Sequence, residues 1–534
     1  MRRIERLIFA VACFSTTMAG ANAPAPDDRA HLHWVAQEVE IAAALDGLSQ
    51  HAISGFIVLK DVSIVDPKSA ETLPGRTVAI RDGKIAWVGE ATATPDTDGA
   101  TIVDGHGLYL SPGLVDMHVH TISLSEQLLR LATGTTSVRE MDGFPWMLEL
   151  RRAVTHEQLL APTAFIAGTI IASYPLEGFA VVVHTPDEAR SQVRNQAACG
   201  YDFIKVHNIL KPPLFDSVAE EARRAGLDLV GHIPHDITID HAVHFGGMRT
   251  LEHLKGFITD KTLVVSDEDF AAGLAGAQVW LAPTFYTITE GHRVANPRQS
   301  LALPEMQYVA LRDREKWRTS VPDPHQEEGQ ALLDTAVPLA MARLLPLHPH
   351  WLAGTDSAQY PYQVAGFAML DELIDMESFG VPRAEVLRAA TSEPAMALRR
   401  AEEIGSVATG MRADLVLLGS DPARDLRAYR DNRGTIVRGQ YLDHTALQAA
   451  LSRLAAIEAE PDGAYGIDRR SVDALIKNVK KLAARHIVLD PMSLTPTEAS
   501  LRRLGYTQAA AELKAAIFEF QSGPCAEILP EGGG

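Results

Sequence analysis

Pro112 to His120 reads Pro-Gly-Leu-Val-Asp-Met-His-Val-His, an apolar run that ends in histidines at i and i+2. Side chains alternate faces along a β-strand, so both imidazoles would lie on one side and could grip one cation. Further residues able to hold a cation follow at intervals. Lys205 stands in Phe203-Ile-Lys-Val-His, His232 in Val230-Gly-His-Ile-Pro-His, His253 in Leu251-Glu-His-Leu and Asp356 in Ala353-Gly-Thr-Asp-Ser. The spacings from Lys205 to His232 and from His232 to His253 each suit one strand–helix unit. Imidazoles with a carboxylate are ligands for zinc and similar divalent ions. Each residue alone also has an ordinary explanation: a chance His-x-His on an exposed strand, hydrogen-bonded core histidines, a salt-bridged lysine. Their order along the chain is what points to a site.

The elements that must position them can be read from texture. From Thr136 to Gly354, short apolar strands (Phe203-Ile-Lys-Val, Asp228-Leu-Val-Gly, Val279-Trp-Leu-Ala, Trp351-Leu-Ala-Gly among them) alternate with helical stretches such as 124–133, 186–199, 214–225 and 237–245. That alternation predicts an α/β fold, a (β/α)8 TIM-like barrel over residues 112–400, whose site lies at the C-terminal strand ends. Residues 55–111 are β-rich and broken by Asp-Pro, Pro-Gly and Asp82-Gly83, and β texture returns over 401–445. The two are expected to form one small composite β-sandwich domain into which the barrel is inserted. Residues 24–54 read as a linker and N-terminal helix, with apolar positions from Leu32 to Leu45 at helical spacing. Residues 446–534 read as a helical C-terminal extension, with helices over 447–457, 472–484 and 499–520 and a disordered tail from Gly523.

The 534 residues carry a net charge of −19, which argues against a nucleic-acid partner. No apolar run is long enough for an integral membrane span. Residues 1–23 combine a basic start, a short apolar centre and Ala21-x-Ala23, the pattern of a signal peptide cut after Ala23, so the protein is expected to be secreted or periplasmic. Beyond Ala23 only Cys199 and Cys525 remain; an oxidising compartment would permit a bridge between them, which sequence separation leaves open, and burial of each as a small apolar group is the expectation. The expected partner is a small-molecule or short-peptide substrate, and the composition leaves a homo-oligomer open.

Pro112-Gly-Leu-Val-Asp-Met-His-Val-His, Ala132-Thr-Gly-Thr-Thr-Ser-Val-Arg, Ile204-Lys, Gly231-His-Ile-Pro, Leu251-Glu-His, Gly354-Thr-Asp and Ala413-Asp-Leu-Val together resemble, in order, the motifs of the amidohydrolase superfamily. The chain is most similar to its imidazolonepropionase-like and prolidase-like branch. Across residues 55 to 445, the resemblance implies a binuclear centre of two divalent metal ions, zinc by ligand type. His118, His120 and Asp356 would hold one ion and His232 and His253 the other. Lys205, carboxylated on its amine by carbon dioxide, would bridge them, because a carbamate offers oxygens where an ammonium offers none. Asp356 would also shuttle the proton.

Arg139, His207 and Tyr286 are candidates to bind the substrate, Arg139 and Tyr286 through a substrate carboxylate. Arg139 has an equal claim to an internal salt bridge. The implied activity is hydrolysis of an amide bond, as by a dipeptidase or N-acyl-amino-acid hydrolase. The alternatives are a mononuclear cyclic-amidase or deaminase-like enzyme of the same fold with Lys205 unmodified, and a non-catalytic scaffold. Arg139-Glu140 stands where the family has Arg-Asp, and Leu398-Arg-Arg-Ala where it has Leu-Gly.

Overall fold

The computed structural model describes residues 28–521 and 525, apart from 94–95, 177–179, 255, 260–262, 265, 267, 269–272, 275, 320–323, 358–360, 462–467, 488 and 490. The segment read as a signal peptide lies outside the described residues, as does the tail from 523 except Cys525.

Eight parallel strands form the centre: Leu114–Val119, Thr135–Glu140, Thr163–Ile166, Phe203–Val206, Asp228–Gly231, Met248–Glu252, Trp280–Ala282 and His350–Trp351. The first three make one sheet, and the other five join Ile170–Ala172 and Ala180–Val182 in a second. The ladders break between the two sheets, yet hydrogen bonds cross both seams. At one, Gly168 N donates to Phe203 O at 2.9 Å; at the other, Met117 N donates to Ala353 O at 2.9 Å and His120 N to Ser357 O at 2.6 Å. This ring is the (β/α)8 architecture. Leu114–Val119 and Phe203–Val206 are buried at every residue, as strands covered on both faces must be.

The covering helices carry their own start and stop signals. Pro186–Cys199 begins with Thr185, whose side chain accepts from Glu188 N, and a proline in its first turn. It ends at Gly200, whose φ of +83° lets the chain turn back. In the stretch 237–245 the helix begins at Ile239 and widens into a π turn over His241–Phe245 before Gly246-Gly247 ends it.

One eight-stranded sheet takes Ile57–Asp66, Glu71–Arg81, Lys84–Glu90, Thr101–Asp104 and Tyr109–Pro112 from before the ring, and Leu415–Leu418, Asn432–Val437 and Gln440–Asp443 from after it. Tyr109–Pro112 runs antiparallel to Leu415–Leu418, which brings the two ends of the ring segment together. Alternate residues such as Ile57 and Leu59, Val78 and Ile80, and Leu415 and Leu417 meet in a core of their own.

The N-terminal helix Asp28–His51 packs with the C-terminal helices through Leu32, Val35, Leu45, Leu454, Ile457 and Leu501. The stretch 499–520 is a helical pair, Pro491–Arg503 and Thr507–Gln521, parted at Gly505, whose φ is +86°. Cys199 and Cys525 are joined in a disulfide with Cα atoms 5.7 Å apart, the bridge that the sequence left open, in place of separate burial. The tail returns to the end of the barrel helix Pro186–Cys199, a proximity that no local pattern encodes.

Candidate metal centre

His118 is the penultimate residue of the first ring strand, Leu114–Val119, and His120 directly follows that strand, so alternation puts both imidazoles inside the ring. Lys205 lies in the strand Phe203–Val206, His232 directly follows Asp228–Gly231, and His253 directly follows Met248–Glu252. Asp356 lies just past His350–Trp351. All six occupy the same ends of parallel strands, the face where such rings place their chemistry.

The side chains converge. One oxygen of Asp356, Oδ1, lies 3.3 Å from His118 Nε2 and 3.1 Å from His120 Nε2, and Oδ2 lies 3.9 Å from His253 Nδ1. Lys205 Nζ is 3.5 Å from His118 Nε2. The His232 ring is 4.8 Å from that of His253 and 4.5 Å from that of His207. His118, His253 and Asp356 each offer a ligand atom within 4.8 Å of the others. His253 thus stands as close to the first group of ligands as to His232.

Backbone strain marks the same positions. Among non-glycine residues with left-handed φ are His253 (+60°), Thr284 (+51°) and Asp356 (+56°). Side chains rarely hold that conformation unless the surroundings impose it. Thr284 Oγ1 is 2.7 Å from His253 Nδ1, which fixes the ring. Gly231 has φ +123°, and a Cβ there would meet Val206 O at 2.3 Å and Lys205 Cδ at 3.0 Å. Glycine is what lets the His232 strand close on Lys205.

Beneath His118 lies a charged layer within the barrel. Glu252 Oε2 lies 2.9 Å from His118 Nδ1, and Glu252 Oε1 accepts from Arg139 Nη2 at 2.8 Å and Thr250 Oγ1 at 2.6 Å. Burial favours a neutral Glu252, but Arg139 and then His118 hold its carboxyl well below the usual range. An ionised carboxylate can only accept, so His118 donates from Nδ1 and presents the Nε2 lone pair to Asp356 and Lys205. Asp116 steadies the same strand end, accepting from Thr355 Oγ1 at 2.8 Å and His118 N at 3.2 Å.

Burial pulls His118 down to about 4, so the ring is neutral at physiological pH. It also pulls Lys205 down to about 8, outweighing the attraction of Glu252 and Asp356. Asp356 is held far below its ordinary value despite burial, by His253, His118 and His120.

Two of the substrate-binding candidates have partners inside the fold. Arg139 spends its guanidinium on Glu252, Thr250 Oγ1 (2.7 Å) and Met117 O (2.6 Å), and is buried. The internal salt bridge is its place. Tyr286 donates its hydroxyl to Tyr362 O at 3.2 Å and lies against the Arg293 guanidinium, 3.7 Å from its ring centroid. Both polar groups are thus engaged within the fold. His207 stays at the site, its ring beside His232.

Sequence reading missed Glu252, Asp116, Thr284 and Thr355. For Glu252 a signal existed, because Arg139 and Glu252 are opposite charges within ring strands that are otherwise largely apolar.

Residues 109–442, more than half the chain, match the model of the amidohydrolase family. An imidazolonepropionase of Anaeromyxobacter dehalogenans is 36% identical over 115 residues, 20% of this chain and 27% of that protein. An adenine deaminase of Rubrobacter xylanophilus is 23% identical over 406 residues, 72% of this chain and 57% of that protein. The chain therefore spans roughly a quarter and somewhat over half of these two curated relatives.

Among solved structures, bottromycin amidohydrolase is similar with a TM-score of 0.63 and 26% identity, covering 80% of this chain and 97% of that one. A Xaa-Pro dipeptidase with bound methionine has a TM-score of 0.57 at 20% identity, covering 73% of this chain and 100% of that one, a likeness of fold. With the ring, the strand-end ligands and the matched span in agreement, the chain belongs to the amidohydrolase family.

Proposed function

We propose that this protein is an exported binuclear metal hydrolase that cleaves amide bonds, a dipeptidase or N-acyl-amino-acid hydrolase. The observation that carries the reading is Lys205. Its amine is buried with Nζ 3.5 Å from an imidazole nitrogen, and no ion pair is found for it among the described residues. A permanently charged ammonium fits poorly there. An amine drawn down to about 8 is partly uncharged near neutrality and able to add carbon dioxide. The carbamate would place negative charge among the imidazoles.

The donor set fits divalent ions. His118 is neutral with Nε2 turned inward, Asp356 is ionised, and His120 Nδ1 is buried without a hydrogen-bond partner. His118, His120 and Asp356 would hold one ion and His232 and His253 the other, with Lys205 between. Bound there, the ions, zinc by ligand type, would lower the pKa of water and polarise the scissile carbonyl.

The chain's own residues do the rest. Asp356 begins unprotonated, can accept a proton at Oδ2 and return it to the leaving amine. Glu252 keeps the proton of His118 on Nδ1, away from the centre. The disulfide supports export, since such bonds persist in oxidising compartments.

A second reading, a mononuclear cyclic-amidase or deaminase-like enzyme, is favoured by the tight grouping of His118, His253 and Asp356 alone. A hydrolysis screen of metal-loaded protein against dipeptides, N-acyl amino acids, cyclic amides and adenine separates the two. We expect turnover of linear amides, nearly all of it lost in D356N. Turnover confined to cyclic amides or adenine would support the second reading, and inactivity throughout would refute both.

A further inference from the structure

Thr284 stands directly before the first turn of the short helix Phe285–Ile288, which follows the ring strand Trp280–Ala282. A threonine in that place ordinarily turns its hydroxyl back to accept an N–H of its own helix, satisfying one of the donors that every helix start leaves open. Thr284 makes no such cap, and its Oγ1 lies 2.7 Å from His253 Nδ1. The missing cap comes from another helix. Glu372, on Phe367–Ser378, accepts from Tyr286 N at 2.7 Å through Oε2, with the Phe285 amide beside it.

Glu372 and Thr284 are both fully buried, so neither group has water as an alternative partner. Burial pushes the Glu372 carboxyl well above its ordinary range, opposed by the Tyr286 amide. A neutral carboxyl still accepts through one oxygen, so the cap does not depend on the charge. The turn that it holds meets the candidate metal centre at two points. Thr284 reaches His253, and Thr287 Oγ1 donates to the carbonyl of Thr355 at 2.9 Å, next to Asp356.

We propose that Glu372 is a positioning residue: it caps the helix Phe285–Ile288 in place of Thr284, and so frees the Thr284 hydroxyl to orient His253 toward a metal ion. The inference rests on the metal-centre reading and adds to it a side chain that touches no ligand itself. Without the carboxyl, Tyr286 N is left buried and short of an acceptor. The Thr284 hydroxyl then has two claimants, and His253 loses part of its hold.

The test uses full-length protein and three variants. Glu372→Met removes the acceptor while keeping the bulk, E372Q keeps an amide oxygen for Tyr286 N, and T284V removes the hydroxyl. Zinc affinity is read by competition with a chromophoric chelator, and folding by the Tm of the metal-free form. We expect about tenfold weaker zinc binding in E372M and wild-type binding in E372Q. Adding E372M to T284V should cause no further loss, because both act through His253.

Losses that multiply in the double variant overturn the proposal. So does a lower metal-free Tm in E372M with unchanged zinc affinity, which would leave Glu372 a structural cap alone. Should the wild type take up no zinc, the metal-centre reading has failed, and amide hydrogen exchange of the metal-free protein still decides. Exchange about tenfold faster in E372M that spreads from 284–287 to a peptide around His253 upholds the proposal, and a rise confined to 284–288 overturns it. E372D, which draws the carboxyl back by one carbon, serves if E372M does not fold.

Discussion

Glu252→Gln is the sharpest probe of the layer beneath the metal ligands. The substitution keeps the shape but cannot satisfy both neighbours. With its oxygen toward Arg139 and Thr250, its amide N–H faces His118 Nδ1, 2.9 Å away in the native pairing, and drives the ring proton to Nε2. A ligand lone pair is then replaced by a proton aimed at Asp356. With its oxygen toward His118, the amide N–H meets the Arg139 guanidinium donor to donor.

The lost charge-assisted bonds cost about 1.5–3 kcal/mol. An uncompensated buried guanidinium costs about 3–5 kcal/mol where no relaxation rescues it. Metal affinity should fall about 10–100-fold, the usual cost of disturbing a ligand's orienting partner. The assay is competition with a chromophoric chelator, alongside thermal unfolding of apo and loaded protein. Unchanged affinity with an unchanged Tm would refute the orienting role of Glu252.

Three further outcomes are expected. Gly231→Ala must move Val206 O or the strand, costing about 1–3 kcal/mol from backbone strain alone and weakening metal uptake beside Lys205; unfolding and metal titration check both. Cys199→Ser, or reduction of the wild-type disulfide, should remove about 2–4 kcal/mol by freeing the tail, and a Tm insensitive to reductant would contradict this.

The apo protein should also gain stability as pH falls from 8 to 6.5. Burial holds Glu140, Asp142 and Glu458 up at about 7 and Glu290 at about 8, so the folded state takes up protons in this window while unfolded carboxyls do so only near 4. Lys205, drawn down to about 8, and His118, drawn down to about 4, act in the opposite sense, Lys205 mostly above this window and His118 at its lower edge. Asp142→Asn should flatten the slope, and a Tm that rises with pH would contradict the prediction.

The ring and its ligand set were largely legible because they are written in local patterns. Period-two alternation placed His118 and His120 on one face, and strand–helix spacing placed Lys205, His232 and His253 at successive strand ends. Relations set by the closing of the ring were not legible. Glu252 and Arg139 lie 113 residues apart and meet only because parallel strands bring their interiors together. Cys199 and Cys525 are separated by 326 residues. The sequence offered Arg139 and Tyr286 to a substrate because charge and hydroxyl type suggest binding, but burial decides whether such groups face a ligand or each other.

The central claim is a pair of ions with a modified lysine between them. It is tested most directly by metal content per chain, measured by mass spectrometry on full-length protein loaded with zinc with and without bicarbonate. About two ions per chain are expected with bicarbonate, and loss of the second in K205A. One ion per chain, indifferent to bicarbonate and to Lys205, would contradict it.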